Sequence, residues 1–363
     1  MNGVIIIDKP SGWTSHDVVN RIRRILGQRS VGHLGTLDPL ATGVLPLVTG
    51  SLTRLAQFYT ASEKTYEGVI RFGFATNTYD ADGEPLELNV GTEELHVGRA
   101  APGCPAITTD FATTPSPELS LETLQTLAAK FRGRIQQTPP PFSAKKIHGV
   151  PAYKLARKQK EVLLDPVEVE IKEFVITTVE SGRARFRARV SSGTYLRSIA
   201  HEMGQRLGCG AHLESLRRTS VAEFDIAQAH TIEEIEACTL HPESELCHSE
   251  RARANASASR TIPTSLSSFG DKMNAPAPTE AGTIDTGTIS SLFIHPRLLL
   301  PQFPSVTADE ATAARIRSGR PINLPNVSRA RQVKVFASQT ELLSIATRVA
   351  GTLFHPKIVF PSA

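Results

Sequence analysis

GHLGTLDPLATGVLPL, from Gly32 to Leu47, sets a single acidic residue, Asp38, between a glycine-rich approach and a long apolar exit. Asp38 precedes Pro39, whose ring disfavours a helical backbone at the residue before it, and Gly32, Gly35 and Gly43 permit tight backbone paths. On these residues alone two readings stay open. Asp38 stabilises its own turn, for which Asp-Pro is a common signal, or it is the carboxylate around which a site is built.

Upstream of this string, Val4 to Ile7 reads as a short buried strand entering a Pro-Ser-Gly turn. A helix is predicted from Ser15 to Gly27, with Val18, Val19, Ile22, Ile25 and Leu26 on its apolar side. The string itself follows as a loop. A second short helix, Ser51 to Tyr59, leads into a strand whose two-residue alternation puts Tyr66, Gly68, Ile70, Phe72 and Phe74 on one face. ATNTYDADGEP closes that strand as a polar turn. Residues 88–118, rich in Thr, Pro and Gly, read as an insertion or surface loop. A helix capped by Ser120 follows, with Leu121, Leu124, Leu127, Ala128 and Phe131 on its apolar side and a stop near Gly133. Val167 to Val175 and Ala184 to Ser191 flank Ser181-Gly182 as a hairpin. Mixed strands and helices with hairpins predict an α+β fold.

Composition changes at Cys238, where Ser, Ala, Thr and Pro take over until about Ser291, as in a disordered linker or mobile insertion. Apolar periodicity returns at Leu298 to Leu300 and runs through the helix-like TADEATAARIRSG and the strand-like VKVFA and ELLSIATRVA. The expected plan is a first domain over 1–237, a linker over 238–294 and a small second domain over 295–363, which suits a length of 363 residues.

Lys and Arg number 40 against 36 Asp and Glu, a net charge of +4, with a pI near 8.9. That balance is compatible with a polyanionic partner without requiring one. The N-terminal run has neither a basic leader nor a cleavage site, and no apolar stretch is long enough to span a bilayer, so no membrane association and a cytoplasmic location are expected. Cys104, Cys209, Cys238 and Cys247 are dispersed without a disulfide framework, as in a reducing compartment. Cys238, His241, Cys247 and His248 lie close together but miss the usual zinc spacings, so no metal is expected.

The Gly32–Leu47 string resembles the catalytic loop of the TruB-type pseudouridine synthases, which isomerise a uridine in the T-loop of tRNA. KTYEG (64–68), PPPFSAKKIHGVPAY (139–153) and TYLRSIAHEMG (194–204) resemble the family's other signatures and occur in the family's order. The resemblance covers most of residues 1–237 and resumes, more weakly, after about residue 295. It implies a pseudouridine synthase fold with a mixed, mostly antiparallel central sheet flanked by helices and loops, followed by a small β-rich PUA-like RNA-binding domain. It also implies isomerisation of uridine 55 by base flipping, with the T-arm of tRNA as partner, no obligate protein partner and no cofactor. A nucleophile with acid-base help suffices for a reaction that needs neither redox partner nor net water.

Carried over by the resemblance, Asp38 is the nucleophile, Arg197 its ion-pair partner, and Tyr66 the active-site tyrosine that stacks on uracil and takes part in proton transfer. His33 fills the space left by the displaced nucleotide, and Thr36 belongs to the same substrate-binding loop. Lys64, Tyr195 and Leu216 are further candidates for contact with phosphate or base. Leu34 departs from the small polar residue common in relatives. Residues 139–160 look like the family's RNA-gripping segment, in which Lys145 and Lys146 bind phosphates without reading sequence. Arg183, Arg185, Arg187 and Arg189 alternate onto one strand face, either tracking RNA or forming the wet side of a sheet. Two other functions remain in view: a guide-RNA-dependent pseudouridine synthase, and a non-catalytic tRNA-binding or tRNA-folding protein.

Overall fold

The structure is a computed structural model describing residues 1–86, 119–143, 145–147, 149–158, 162, 164–240 and 291–361. The chain opens with β1 (Gly3–Lys9) and α1 (Ser15–Ile25). A capping box fixes the start of α1: Thr14 Oγ1 accepts from the Asp17 N–H at 3.1 Å, and Asp17 Oδ2 accepts from the Thr14 N–H at 2.9 Å. Val18, Val19 and Ile22, spaced for one helical face, are buried. Next come β2 (Val31–His33), β3 (Thr42–Thr49), a 3₁₀ turn Gly50–Leu55 that continues as α2 (Ala56–Tyr59), and β4 (Lys64–Phe72).

After the expected insertion, which lies outside the described residues, come α3 (Leu121–Ala129) and β5 (Gly133–Gln137). The basic segment forms a small hairpin, β6 (Lys146–Ile147) with β7 (Val150–Pro151), and the short α4 (Ala152–Ala156). Then follow β8 (Val167–Glu180), β9 (Arg183–Val190), α5 (Leu196–Leu207), β10 (Ala211–Val221), β11 (Phe224–Asp225) and α6 (Ile232–Leu240). Ser181 and Gly182 both have positive φ, +49° and +75°, as a two-residue hairpin turn requires.

The central sheet runs β12-β1-β3-β10-β4-β9-β8-β5, with β2 on β3 and β11 on β10, where β12 is Phe293–Ile294. It is antiparallel except for the β3–β10 contact. β1 explains how this sheet is covered. Its residues alternate, so Ile5 and Ile7 join the core beneath α1, α3 and α5, while Val4 and Ile6 join a second core on the opposite face. Burial on both faces is why the sequence reads as an unbroken apolar run. Each such side chain contributes about 1.5–3 kcal/mol.

The second core is completed from the C-terminal module by Leu299, Leu300, Phe336, Ile345 and Phe360. That module holds β13 (Ser305–Thr307), α7 (Glu310–Arg317), β14 (Ile322–Asn323), β15 (Gln332–Phe336), β16 (Leu342–Ala350) and β17 (Leu353–Val359), in sheet order β13-β15-β16-β17-β14. Tyr59 pins the two units together: its hydroxyl lies 2.6 Å from Glu223 Oε1 and accepts from the Leu300 N–H at 3.2 Å.

The α+β architecture agrees with the expectation, and five details differ from it. The string read as a loop is half strand, because Val44 to Thr49 are buried and pair with β1. Pro46 is tolerated in β3 because it falls between Thr42–Gly43, covered by β10, and Leu47–Thr49, covered by β2. Phe74 lies past the end of β4. Both ends of the range read as a linker are regular structure, since α6 runs to Leu240 and Phe293–Ile294 is a strand on β1, while residues 241–290 lie outside the described residues. Cys209 is a buried free thiol, but Cys238 is disulfide-bonded, because dispersed spacing does not say which cysteines the fold brings together.

Candidate active site

Asp38 sits on the crossing from β2 to β3, in a turn closed by the Ala41 N–H donating to the Asp38 carbonyl at 3.1 Å. Pro39 occupies the second position of that turn, where its fixed φ is suited. The turn reading and the site reading therefore describe the same residues. Three side chains hold the loop from behind. Ser15 Oγ donates to the Leu37 carbonyl at 3.1 Å and accepts from the Leu37 N–H at 2.8 Å. Buried Lys9 donates through Nζ to the carbonyls of Pro10 (2.8 Å), Trp13 (2.6 Å) and Pro39 (3.2 Å). Arg218, fully buried, donates to the carbonyls of Gly35, Thr36 and Val44 at 2.8–3.1 Å. Burial pulls the Lys9 ammonium down to about 8, against the opposing pull of Asp38.

Arg197 is the centre of the polar constellation. It lies in the first turn of α5, where the helix dipole disfavours a cation, and two carboxylates compensate. Nη2 is 3.0 Å from Asp38 Oδ2, and Nη1 is 3.3 Å from Asp80 Oδ2. The same nitrogens donate to the carbonyls of Thr78 and Phe142, both at 3.1 Å. The exposures divide the labour: the Asp38 side chain is 41% exposed, those of Arg197 and Asp80 only 6% and 7%. Only Asp38 is presented to an incoming molecule. Asp80 accepts from Thr78 Oγ1 at 2.6 Å, and burial raises its pKa despite that bond and the Arg197 charge.

A cavity of about 480 Å³ opens onto Asp38. Eight residues singled out from sequence line it: Asp38, Tyr66, Arg197, His33, Thr36, Lys64, Tyr195 and Leu216. Tyr66 is 8% exposed and belongs to the main core as well as to the cavity wall, so core packing and access to the cavity coexist in one side chain. His33 Nδ1 accepts from the Gly35 N–H at 3.3 Å, and burial with the nearby Arg218 charge lowers its pKa, which keeps the ring neutral at pH 7. Burial and the same charge bring Lys64 to about 8. Gln137, itself buried, clamps the backbone of Tyr195: its Oε1 accepts from the Tyr195 N–H at 2.8 Å and its Nε2 donates to the Tyr195 carbonyl at 3.0 Å. Burial raises the pKa of the Tyr195 hydroxyl.

Lys145 and Lys146 stand outside the cavity wall, beside and in the β6–β7 hairpin, while His148 and Lys160 lie outside the described residues. Leu34, 5% exposed, packs in the second core and also borders the cavity. The arginine stripe on β9 is an exposed face: Arg183 pairs with Glu214 at 2.8 Å and Arg187 with Glu173 at 3.6 Å, whereas Arg185 and Arg189 form no ion pair among the described residues. Among those residues no group of three metal-ligating side chains occurs, and no helix is long and apolar enough to cross a membrane. The Cys238–His248 cluster lies mostly outside them.

Sequence reading missed Asp80, Arg218, Lys9 and Gln137. Asp80 hides in a polar turn, and the one local sign of its importance is structural: Tyr79, beside it, holds φ at +67° while its ring stacks on His201 at 3.8 Å.

Residues 23–101 and 106–196 match the model of the TruB family pseudouridylate synthase N-terminal domain, and residues 197–250 match the tRNA pseudouridylate synthase B C-terminal domain. The tRNA pseudouridine synthase B of Solibacter usitatus (strain Ellin6076) is 41% identical over 364 residues, covering 99% of this chain and 100% of that protein. The one from Aquifex aeolicus (strain VF5) is 40% identical over 236 residues, covering 64% of this chain and 73% of its own length. The solved Cbf5-Nop10-Gar1 complex contains a chain that superposes with a TM-score of 0.60 at 20% identity, covering 99% of this chain and 85% of that one, which shows a shared fold. With three of the four signatures converging on one cavity, the chain belongs to the TruB family of pseudouridylate synthases.

Proposed function

We propose that the protein converts uridine 55 in the T-loop of tRNA to pseudouridine by itself, with Asp38 as nucleophile. The observation that carries this reading is the pairing of a 41%-exposed Asp38 carboxylate with a 6%-exposed Arg197 at 3.0 Å, on the wall of a cavity that Tyr66 also lines. A guanidinium held in four polar contacts orients the carboxylate without competing for solvent. The bond from N1 of uracil to the ribose breaks, the base turns, carbon 5 bonds to the ribose and gives its proton to solvent, N1 takes up a proton, and the Asp38 carboxylate is released unchanged. Atoms balance without oxidant, reductant or net water, so the reaction as read calls for no cofactor.

The remaining residues take supporting roles. Tyr66 stacks on the base and serves the proton transfer, and neutral His33 occupies the gap left in the RNA by the extruded nucleotide. Thr36, Lys64, Tyr195 and Leu216 enclose the nucleotide, while Lys145 and Lys146 hold T-arm phosphates. Residues 1–237 act as the catalytic domain and residues 295–363 as a PUA-like RNA-binding module. The test is incubation with an unmodified tRNA transcript and nothing else, followed by mapping of pseudouridine. Product at position 55 is expected. Product only when a second RNA or protein is added would move the chain to the guide-dependent class, and tight, salt-sensitive binding without product would make it a non-catalytic tRNA binder.

A further inference from the structure

We propose that Arg218 is a positioning residue for the isomerisation, holding the loop that carries Asp38 and the Tyr66 ring in one fixed frame. This rests on the reading of Asp38 and Tyr66 given above. Arg218 is 0% exposed, yet no carboxylate lies within ion-pairing distance of it among the described residues. Its Nε donates to the Val44 carbonyl at 2.8 Å, Nη1 to Thr36 at 3.1 Å and Nη2 to Gly35 at 3.0 Å. All three acceptors belong to the Gly32–Leu47 string, on both sides of Asp38. In the β4–β10 ladder Arg218 stands opposite Tyr66, so the two side chains leave the sheet on the same face, where they interact electrostatically.

The main chain of Arg218 grips the same loop. β10 and β3 run parallel with Arg218 opposite Gly43, and a Cβ on Gly43 would stand 2.2 Å from the Arg218 carbonyl oxygen. Backbone and side chain of one residue thus bracket the catalytic turn. Taking a cation out of water without a counter-ion is strongly unfavourable, and a well-packed apolar residue in its place would not incur that cost. Arg218 is therefore an expensive way to fill this space if stability alone is at stake. Its fork is suited to holding three divergent carbonyls at fixed angles.

The experiment compares Arg218→Lys and Arg218→Met with wild type, Tyr66→Phe and Asp38→Asn. It reads tritium release from carbon-5-labelled tRNA for kcat and KM, tRNA Kd by filter binding, and thermal melting. Arg218→Met removes the buried charge and its desolvation cost, so it is the variant best able to fold. The expected result is cooperative melting, Kd and KM within about threefold of wild type, and kcat down at least about tenfold, because only the transition state needs the exact frame. Adding Tyr66→Phe to Arg218→Met should then cost less than it does in wild type, since the two residues act as a unit. Wild-type kcat in either folded variant, a loss confined to KM, or full additivity with Tyr66→Phe would overturn the proposal. So would failure of both variants to fold, which would make Arg218 a folding residue. If instead Asp38→Asn retains turnover, the reading of the nucleophile fails; if Asp38→Asn is dead while Arg218→Met is fully active, only the role of Arg218 fails.

Discussion

Replacing Asp80 with Asn separates what the Arg197 constellation does for catalysis from what it does for folding. Asp80 Oδ2 lies 3.3 Å from Arg197 Nη1, and both side chains are under a tenth exposed. At an effective dielectric near 20, that separation corresponds to a gross attraction of about 5 kcal/mol. Asn cannot replace it. Its oxygen can accept from Thr78 as Asp80 does now, but its amide then faces Arg197 donor to donor. Arg197 keeps Asp38 and two carbonyls, so only part of the loss reaches the transition state. About 1.4–2.8 kcal/mol, or a 10- to 100-fold fall in kcat, is expected. Stability should move the other way. The folded-state pKa of Asp80 is raised, first by desolvation, so protonation favours the folded state. The stabilisation from Asp80 is full below the unfolded carboxylate pKa and is lost as pH rises through the folded value. At about pH 7 the ionised Asp80 is held at a cost, so Asp80→Asn should melt no lower than wild type, and any advantage should shrink as pH falls into the carboxylate range. Tritium-release kinetics at about pH 7, with calorimetry there and in the carboxylate range, reads both effects. Wild-type kcat in Asp80→Asn, or a marked drop in Tm at neutral pH, would refute the reasoning.

Gly43→Ala should lose about 3 kcal/mol or more and all turnover, because its Cβ would meet the Arg218 carbonyl at 2.2 Å with φ at +97°. Gly12→Ala, at φ +81° with no atom near its Cβ, should lose only about 1–2 kcal/mol in urea unfolding. Tyr59→Phe removes the hydroxyl shared by Glu223 and Leu300 N–H, and calorimetry should show a loss of about 1–2 kcal/mol. Lys145→Ala and Lys146→Ala should each weaken tRNA binding and reduce the salt slope of log K by about one, with kcat at saturation unchanged.

Features that depend on short-range periodicity were legible in the sequence. The face of α1, the β8–β9 hairpin at Ser181-Gly182 and the inward side of β4 that carries Tyr66 all follow from it. Asp38 and Arg197, 159 positions apart, meet at 3.0 Å, a pairing that no local pattern in the sequence gives. Buried charge was not legible. Arg217 and Arg218 are adjacent, and alternation puts them on opposite faces, yet bulges between Leu213 and Ser215 and between Arg218 and Ser220 shift the register of β10. Nothing local says that Arg217 reaches out to Asp8 while Arg218 points in. Asp80 fails the same way, because a short polar turn reads as solvated until α5 packs Arg197 against it. The docking of Phe293–Ile294 onto β1 depends on contacts remote in sequence, which composition cannot report.

The central claim is that the Asp38 carboxylate attacks the target nucleotide. It is tested most directly by tritium release from tRNA labelled at carbon 5 of uridine, with wild type and Asp38→Asn at matched concentration. Asn preserves size and hydrogen-bonding capacity in an exposed turn, so folding and tRNA affinity should hold. Attack by Asp38 requires release by wild type and none above background by Asp38→Asn; comparable release by the two proteins would rule that attack out.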